Sequence, residues 1–358
     1  MPQPLQMRWI LHTTIFPTVN DMFENLKNKG EFRIVYLGGS ITEGAGASDK
    51  TRRWSTQITA YLNSLALGNT VFREINAGIG GTNSAYGMLR LSRDVISQDP
   101  DAVFIDFSLN DMDRDDDFSA RMYEGIIRKL MSLSKVPYVI CIGVVPNNEI
   151  VFKTELHKKI AAHYGIQYID VKAAMNEAYG KGEPGVNTAR DALFRPDNTH
   201  PVEEGYDFYT EVIKNNLSDE SFRQPCGEPM CEDFEKRCGK FINARDFERI
   251  GAWRECGEGD WNAPNPGRSG PSLAASEAGA ELCLKFFGDA VLLGARFDRN
   301  AGKAEISLDG KSETRDLCYA TDNQPVIVLE RFGLGEGEHT LAVRTLGGEV
   351  KFDFAIIP

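Results

Sequence analysis

From residue 30 to about residue 215, short apolar runs take turns with longer amphipathic ones. Phe32 to Leu37 (F-R-I-V-Y-L), Phe72 to Asn76, Val103 to Ser108, Tyr138 to Val145 and Ile166 to Asp170 have the length and β-branched or aromatic content of buried strands. Between the first two, Trp54 to Leu67 sets Ile58, Tyr61, Leu62 and Leu65 at the i, i+3, i+4, i+7 spacing of one buried helical face. Tyr86 to Ile96, Met122 to Leu133, Leu156 to Tyr164 and Tyr206 to Ile213 repeat that helical pattern.

Alternation of this kind predicts an α/β domain with a flavodoxin-like, three-layer α/β/α arrangement, in which ligands sit beyond the carboxyl ends of the strands. The pattern breaks between Ser218 and Gly239 into polar residues, prolines and cysteines, as a linker does. Beyond it, Leu282 to Phe287, Ala290 to Phe297, Ala304 to Leu308, Val326 to Leu329, Thr340 to Val343 and Val350 to Ile356 are short and β-rich, with turns such as Asp309-Gly310 and Gly347-Gly348. No helix-length periodic segment interrupts them, so a C-terminal antiparallel β-sandwich of jelly-roll type is expected. The predicted organisation is residues 1–220 as an α/β domain, 221–240 as linker and 241–358 as sandwich, and 358 residues suit two domains.

Composition narrows the partners. A formal net charge of −12 with no Lys/Arg cluster disfavours nucleic acid and anionic membranes. No apolar run reaches the roughly 18 residues of a membrane span. The stretch Leu5 to Phe16 is interrupted by Arg8 and His12 and lacks a small-residue cleavage site, so no export signal and a cytoplasmic location are expected. In that compartment Cys226, Cys231, Cys238, Cys256, Cys283 and Cys318 are expected as free thiols. The C-x4-C-x6-C spacing of the first three lacks the tight knuckle of a zinc site. Self-association into a homo-oligomer stays open.

Candidate chemistry gathers at the ends of the predicted strands. The first runs into Gly38-Gly39-Ser40-Ile41-Thr42-Glu43-Gly44, a serine at a strand-to-helix turn among glycines, which suits a nucleophile, a phosphate-binding turn or a plain tight turn. The second runs into Asn76-Ala77-Gly78-Ile79-Gly80-Gly81-Thr82 and the third into Ser108-Leu109-Asn110-Asp111. If the sheet is parallel, all three ends face one crevice, where the N–H groups of Ser40 and Gly81 and the Asn110 amide would form an oxyanion hole. Taken singly, Gly81 also reads as a turn glycine and Asn110 as a helix cap. Ahead of the last helix stands Arg195-Pro196-Asp197-Asn198-Thr199-His200-Pro201, where Asp197 is close enough to hold the tautomer of His200. His12, His157, His163 and His339 have no serine or cysteine motif around them, and His157 and His163 are expected on a solvated helix. The acidic run Asp113, Asp115, Asp116, Asp117 reads as a solvated helix start rather than a cation site.

These four segments, in this order, resemble the blocks of the SGNH (GDSL-type) hydrolase family over roughly residues 30 to 215, the span of one α/β domain. The resemblance implies Ser40 as nucleophile, His200 as general base, Asp197 as its orienter, and Ser40, Gly81 and Asn110 as oxyanion donors. Acyl transfer through an acyl-enzyme would need no metal or cofactor. The G-D-S of many members is Gly38-Gly39-Ser40 here, which touches the subfamily rather than the chemistry.

Ala304 to Gly310 and Gly333 to Thr340 look like the galactose-binding-like jelly roll of carbohydrate-binding modules. Trp253 and Trp261 are candidate sugar platforms, and Trp54 a candidate wall of the acyl pocket. An esterase coupled to such a sandwich resembles two-domain carbohydrate acetylesterases, which implies acetylated mannan or xylan oligosaccharides as substrates. A short-chain lipid or acyl esterase or thioesterase, and a non-catalytic carbohydrate-binding protein, are the alternatives.

Overall fold

The structure, a computed structural model, describes residues 29–112, 116–148, 153–217, 228–231, 240–256, 272–320 and 324–357. The chain divides into two compact units, Met1–Met88 with Val95–Glu235, and Lys236–Pro358 with Leu89–Asp94.

The first unit is built on β1 (Glu31–Gly38), β2 (Val71–Gly78), β3 (Ala102–Asp106), β4 (Tyr138–Gly143) and β5 (Gln167–Asp170). All are parallel, in the order β2-β1-β3-β4-β5. This is the flavodoxin-like order expected from the alternation, and its switch point lies where β1 meets β3. Strands such as β3 are buried at every position because helices cover both faces. The helices are α1 (Ser40–Glu43), α2 (Trp54–Ser64), α3 (Ser84–Leu89), α4 (Asp116–Met131), α5 (Thr154–His163), α6 (Val171–Tyr179) and α7 (Glu203–Asn216), with a helical turn at Thr188–Asp191.

Differences from the pattern-based expectation have local causes. Tyr86 to Ile96 is not one helix: α3 stops at Leu89, a separate turn spans Leu91–Asp94, and a 3₁₀ turn follows at Ile96–Gln98. At the break, Arg90 pairs with Asp94 at 2.9 Å, both enclosed. Asp116 and Asp117 are exposed in the first turn of α4, as expected for a solvated helix start, while Asp113 and Asp115 lie outside the described residues. Trp54 has no exposed surface. Its indole meets Tyr36 edge-on at 5.2 Å and Phe104 at 6.0 Å, in a core shared with Ile58, Leu62 and Tyr206. The expected acyl-pocket wall is therefore a core side chain, since positions 54, 58 and 62 form one helical stripe facing the sheet.

Of the expected linker, 228–231 and Lys240 fall among the described residues. The N–H groups of Met230 and Cys231 donate to the buried Glu124 carboxylate at 2.7 and 2.9 Å, so this segment is pinned to the first unit.

The second unit is antiparallel, in strands β6 (Lys240–Asn243), β7 (Glu248–Ile250), β8 (Arg254–Cys256), β9 (Ser272–Ala275), β10 (Glu281–Phe297), β11 (Lys303–Leu308), β12 (Lys311–Asp316), β13 (Gln324–Gly347) and β14 (Val350–Ile357). The main path runs β12-β11-β13-β10-β14-β9-β8, with β6 on β14 and β7 on β10. Four strands expected as short are halves of β10 and β13. These two long strands survive their glycines through register shifts at Gly288/Ala290 and Leu293/Gly294. The two halves of β10 find different second neighbours, β7 at Glu281–Cys283 and β14 at Leu292–Ala295, and the second half of β13 pairs with β11. Leu282, Val291, Leu293, Ile306, Leu341, Val343 and Phe352 close one core. The Asp309-Gly310 turn has φ of 50° and 77°, the left-handed pair that a tight hairpin requires. Among the described cysteines, Cys141, Cys231, Cys256, Cys283 and Cys318 form no disulfide, and Cys226 and Cys238 lie outside the described residues.

Candidate active site

Ser40 follows β1 by one residue and opens α1, so its N–H has no earlier helical turn to bond. The turn is held from below and behind. Asn76 on β2 donates its amide to the Thr42 carbonyl at 2.6 Å, and Thr42 donates its hydroxyl to buried Asp106 at 2.9 Å. From α7, the Tyr206 hydroxyl reaches the carbonyls of Ala45 at 2.8 Å and Ile41 at 3.1 Å.

The Asp197–His200 loop lies on the same side. Asp197 Oδ1 accepts the N–H groups of Thr199 and His200, each at 2.9 Å, which closes the loop into a tight turn with Asn198 at φ 54°. The second carboxylate oxygen meets His200 Nδ1 at 2.9 Å, and His200 Nε2 meets the Ser40 hydroxyl at 2.9 Å. Partial burial works to raise the Asp197 pKa, but the His200 N–H, the imidazole and the Thr199 N–H outweigh it and hold the carboxyl below the ordinary range. Fully buried Asn147 braces the loop from outside, through its N–H to the Asn198 carbonyl at 2.9 Å and its amide to the Asn198 side chain at 3.0 Å.

Gly81 and Asn110 follow β2 and β3; Asn110 lies against Gly39, and Gly80, the neighbour of Gly81, lies against Ser40. Gly81 is exposed at φ 70°, a backbone state that favours glycine. The Ser40 N–H, the Gly81 N–H and the Asn110 amide have no acceptor among the described residues. Gly39 matters beside them: a Cβ there would fall 2.2 Å from Asn110 Oδ1.

Residues 36–208 match the GDSL-like Lipase/Acylhydrolase family. The first unit is thus similar to that family, and the match covers just under half of the chain. Over both units the fold is similar to a crystal structure of a two-domain esterase active on acetylated mannans, with a TM-score of 0.76, 22% identity and coverage of 96% of this chain and 97% of that one. A second structure of such an esterase, co-crystallised with mannopentaose, gives a TM-score of 0.74, 22% identity and coverage of 96% of each chain. A curated relative, the A type blood alpha-D-galactosamine galactosaminidase of Flavonifractor plautii, is 31% identical over 105 residues, 29% of this chain. That match spans 9% of the relative's length.

In this GDSL-like unit the structure brings Ser40, Asp197 and His200 into one hydrogen-bonded line, with Gly80 against Ser40 and Asn110 against Gly39. It also brings in residues that the motifs did not single out. Glu43 accepts the Gly80 N–H at 2.8 Å, and Asp111 accepts the Ser84 N–H at 2.8 Å. Asp111 also meets His157 Nε2 at 3.0 Å, with both side chains enclosed. The expectation of a solvated His157 is thus corrected: the residue sits on the buried stripe of α5 with Thr154, Ile160 and Ala161, and its ring stacks on Tyr123 at 3.6 Å. That stripe, three and four residues apart, was the signal available in the sequence. His163 is on the outer part of α5 and contacts the Glu228 carbonyl at 2.6 Å.

Beneath the nucleophile turn, burial pushes the Asp106 carboxyl up to about 7, against the pull of the Thr42 hydroxyl, and the nearby Asp111 charge adds to the rise. Trp54 is in the core, and Trp261 lies outside the described residues. Trp253, in the second unit, is half-buried against the core, and its Nε1 donates to the Glu281 carbonyl at 3.0 Å.

Proposed function

We propose that this protein is a serine esterase that removes O-acetyl groups from plant-type oligosaccharides, such as acetylated mannan or xylan fragments, through an acyl-enzyme on Ser40. The observation that carries the reading is the line Ser40 Oγ, His200 Nε2, His200 Nδ1, Asp197 Oδ2, with 2.9 Å at each hydrogen bond. A neutral imidazole at that distance accepts the hydroxyl proton as the serine oxygen attacks the ester carbonyl. The oxygen of the tetrahedral intermediate is then stabilised by the Ser40 and Gly81 N–H groups and the Asn110 amide. Collapse breaks the bond to the sugar oxygen, which takes the proton back from His200. Water, deprotonated by the same imidazole, attacks acetyl-Ser40 and releases acetate and the free hydroxyl. Asp197 stays ionised throughout and holds the Nδ1 proton toward itself.

The choice of an acetylated glycan draws on the shared two-domain fold and on that neighbour's activity on acetylated mannans. Mass spectrometry of acetylated manno- and xylo-oligosaccharides before and after treatment tests it. Loss of acetyl groups with wild type and none with Ser40→Ala is the expected result. Hydrolysis of octanoyl esters faster than acetyl esters, with untouched glycans, would favour the lipid or acyl esterase instead.

A further inference from the structure

The three proposed oxyanion donors come from three separate segments, so something must set their spacing. Gly81 is the least constrained by packing: a Cβ placed on it would have nothing within 4 Å. Its loop is instead tied at both ends by carboxylates. On one side Glu43 takes the Gly80 N–H at 2.8 Å. On the other, Asp111 takes the Ser84 N–H at 2.8 Å. Glu43 ends α1, the helix that Ser40 opens, and Asp111 is the neighbour of Asn110. Each tether therefore runs from the Gly81 loop to the segment that bears another donor.

Neither carboxylate is loosely held. Asp111 spends its second oxygen on His157, which is fixed by its stack on Tyr123. Glu43 is packed so closely to the loop that a Cβ on Gly80 would lie 3.0 Å from its Oε2 and 3.6 Å from the Ser40 Cβ. Charge-assisted bonds from backbone N–H to carboxylate are shorter and stronger than neutral ones, which suits them to fixing a loop that packing leaves alone.

We infer that Glu43 and Asp111 are positioning residues that set the oxyanion hole, clamping the Gly81 loop to the nucleophile helix at one end and to the Asn110 segment at the other. The inference rests on the esterase reading. Neither side chain contacts the reacting atoms; each acts through the placement of the Gly81 N–H. An interaction realised in the transition state lowers kcat when lost and leaves KM nearly unchanged.

The test compares wild type, Ser40→Ala, Glu43→Ala, Glu43→Gln and Asp111→Asn on p-nitrophenyl acetate, with the melting temperature of each. Glu43→Ala is expected to lower kcat by roughly 5- to 50-fold, less than complete loss of a donor, with KM within about twofold of wild type. Glu43→Gln keeps an acceptor oxygen for Gly80 and is expected to recover most of the rate. Asp111→Asn, with one carbonyl oxygen for two former contacts, is expected to lower kcat in the same way. Affinity for methaneboronic acid, whose tetrahedral adduct on Ser40 is a negatively charged boronate that places an oxygen in the hole, should fall in step with kcat. If Ser40→Ala is dead while Glu43→Ala and Asp111→Asn turn over like wild type, the clamp is wrong and the esterase stands. Losses that follow the melting temperature, or fall on KM alone, also overturn it. Undiminished turnover by Ser40→Ala overturns both.

Discussion

His200 Nε2 stands 2.9 Å from the Ser40 hydroxyl, although 160 residues separate them in the chain. Two devices bring this about. The parallel sheet delivers Ser40 to the carboxyl end of β1, and Tyr206, six residues past His200, bonds back to the carbonyls around the nucleophile turn. The nucleophile and its base are thus set by backbone anchoring on both sides, which suits groups that must meet within hydrogen-bond reach.

Asn110→Ala removes one side-chain donor and leaves the triad untouched. Turnover of p-nitrophenyl acetate is expected to drop by roughly 10²- to 10³-fold, with little change in KM. Steady-state kinetics on the purified variant check this, and an unchanged kcat would remove Asn110 from the hole.

Gly39→Ala puts a methyl where Asn110 Oδ1 now lies, 2.2 Å away. The amide at the end of the Asn110 side chain is the group able to yield, so the cost should fall on catalysis more than on folding. A kcat reduced by about tenfold or more with a nearly unchanged melting temperature is expected. A large loss of stability with normal specific activity would contradict it.

Asp106 is a stability group with a defined sign. Its folded pKa of about 7 lies above the ordinary value of 3.8, so the folded state binds the proton more tightly than the unfolded chain does. Its contribution is complete below about 3.8 and is lost as pH rises through about 7. Denaturant unfolding across that window should show wild type weakening relative to Asp106→Asn by an amount on the order of a few kcal/mol. Parallel pH profiles for the two proteins would contradict the assignment.

Asp197 has the opposite sign. Its folded pKa is held below the ordinary carboxylate value, so its contribution is present above that value and lost as pH falls through the lower folded one. The stability difference between wild type and Asp197→Asn should be constant from neutral pH to about 4 and narrow below it. The same variant should lose turnover at neutral pH, by up to roughly 10⁴-fold, because the imidazole tautomer is no longer held.

Trp54→Ala tests the corrected role of that residue. Removal of a fully enclosed indole from the core should destabilise the first unit by about 3–5 kcal/mol, measured by denaturant titration. A change in acyl-chain preference at unchanged stability would restore it as a pocket wall.

Ser40, Gly81 and Asn110 were legible because each follows a strand that the apolar pattern locates, and a parallel sheet turns those ends toward one edge, whereas Asp197 and His200 were legible from their three-residue spacing just ahead of the last helix. Ser40, Gly81, Asn110, Asp197 and His200 needed little more than that order. Glu43 and Asp111 lie inside the same motif strings, yet their roles depend on which N–H each carboxylate faces, and spacing along the chain carries no such information. His157 and Trp54 were readable in principle: each shares a helical stripe with known apolar neighbours, but an ionisable ring and a large indole near a motif invite other readings. In the second unit, Gly288 and the glycines from 333 to 337 look like strand breaks, whereas the pairing of β10 with β13 resumes on both sides of them across a register shift.

Turnover of p-nitrophenyl acetate by Ser40→Ala, set against wild type with matching circular dichroism and melting temperature, addresses the central claim most directly. A fall of roughly 10³-fold or more with the fold intact is the predicted result. A folded variant that hydrolyses the ester at the wild-type rate would contradict the account.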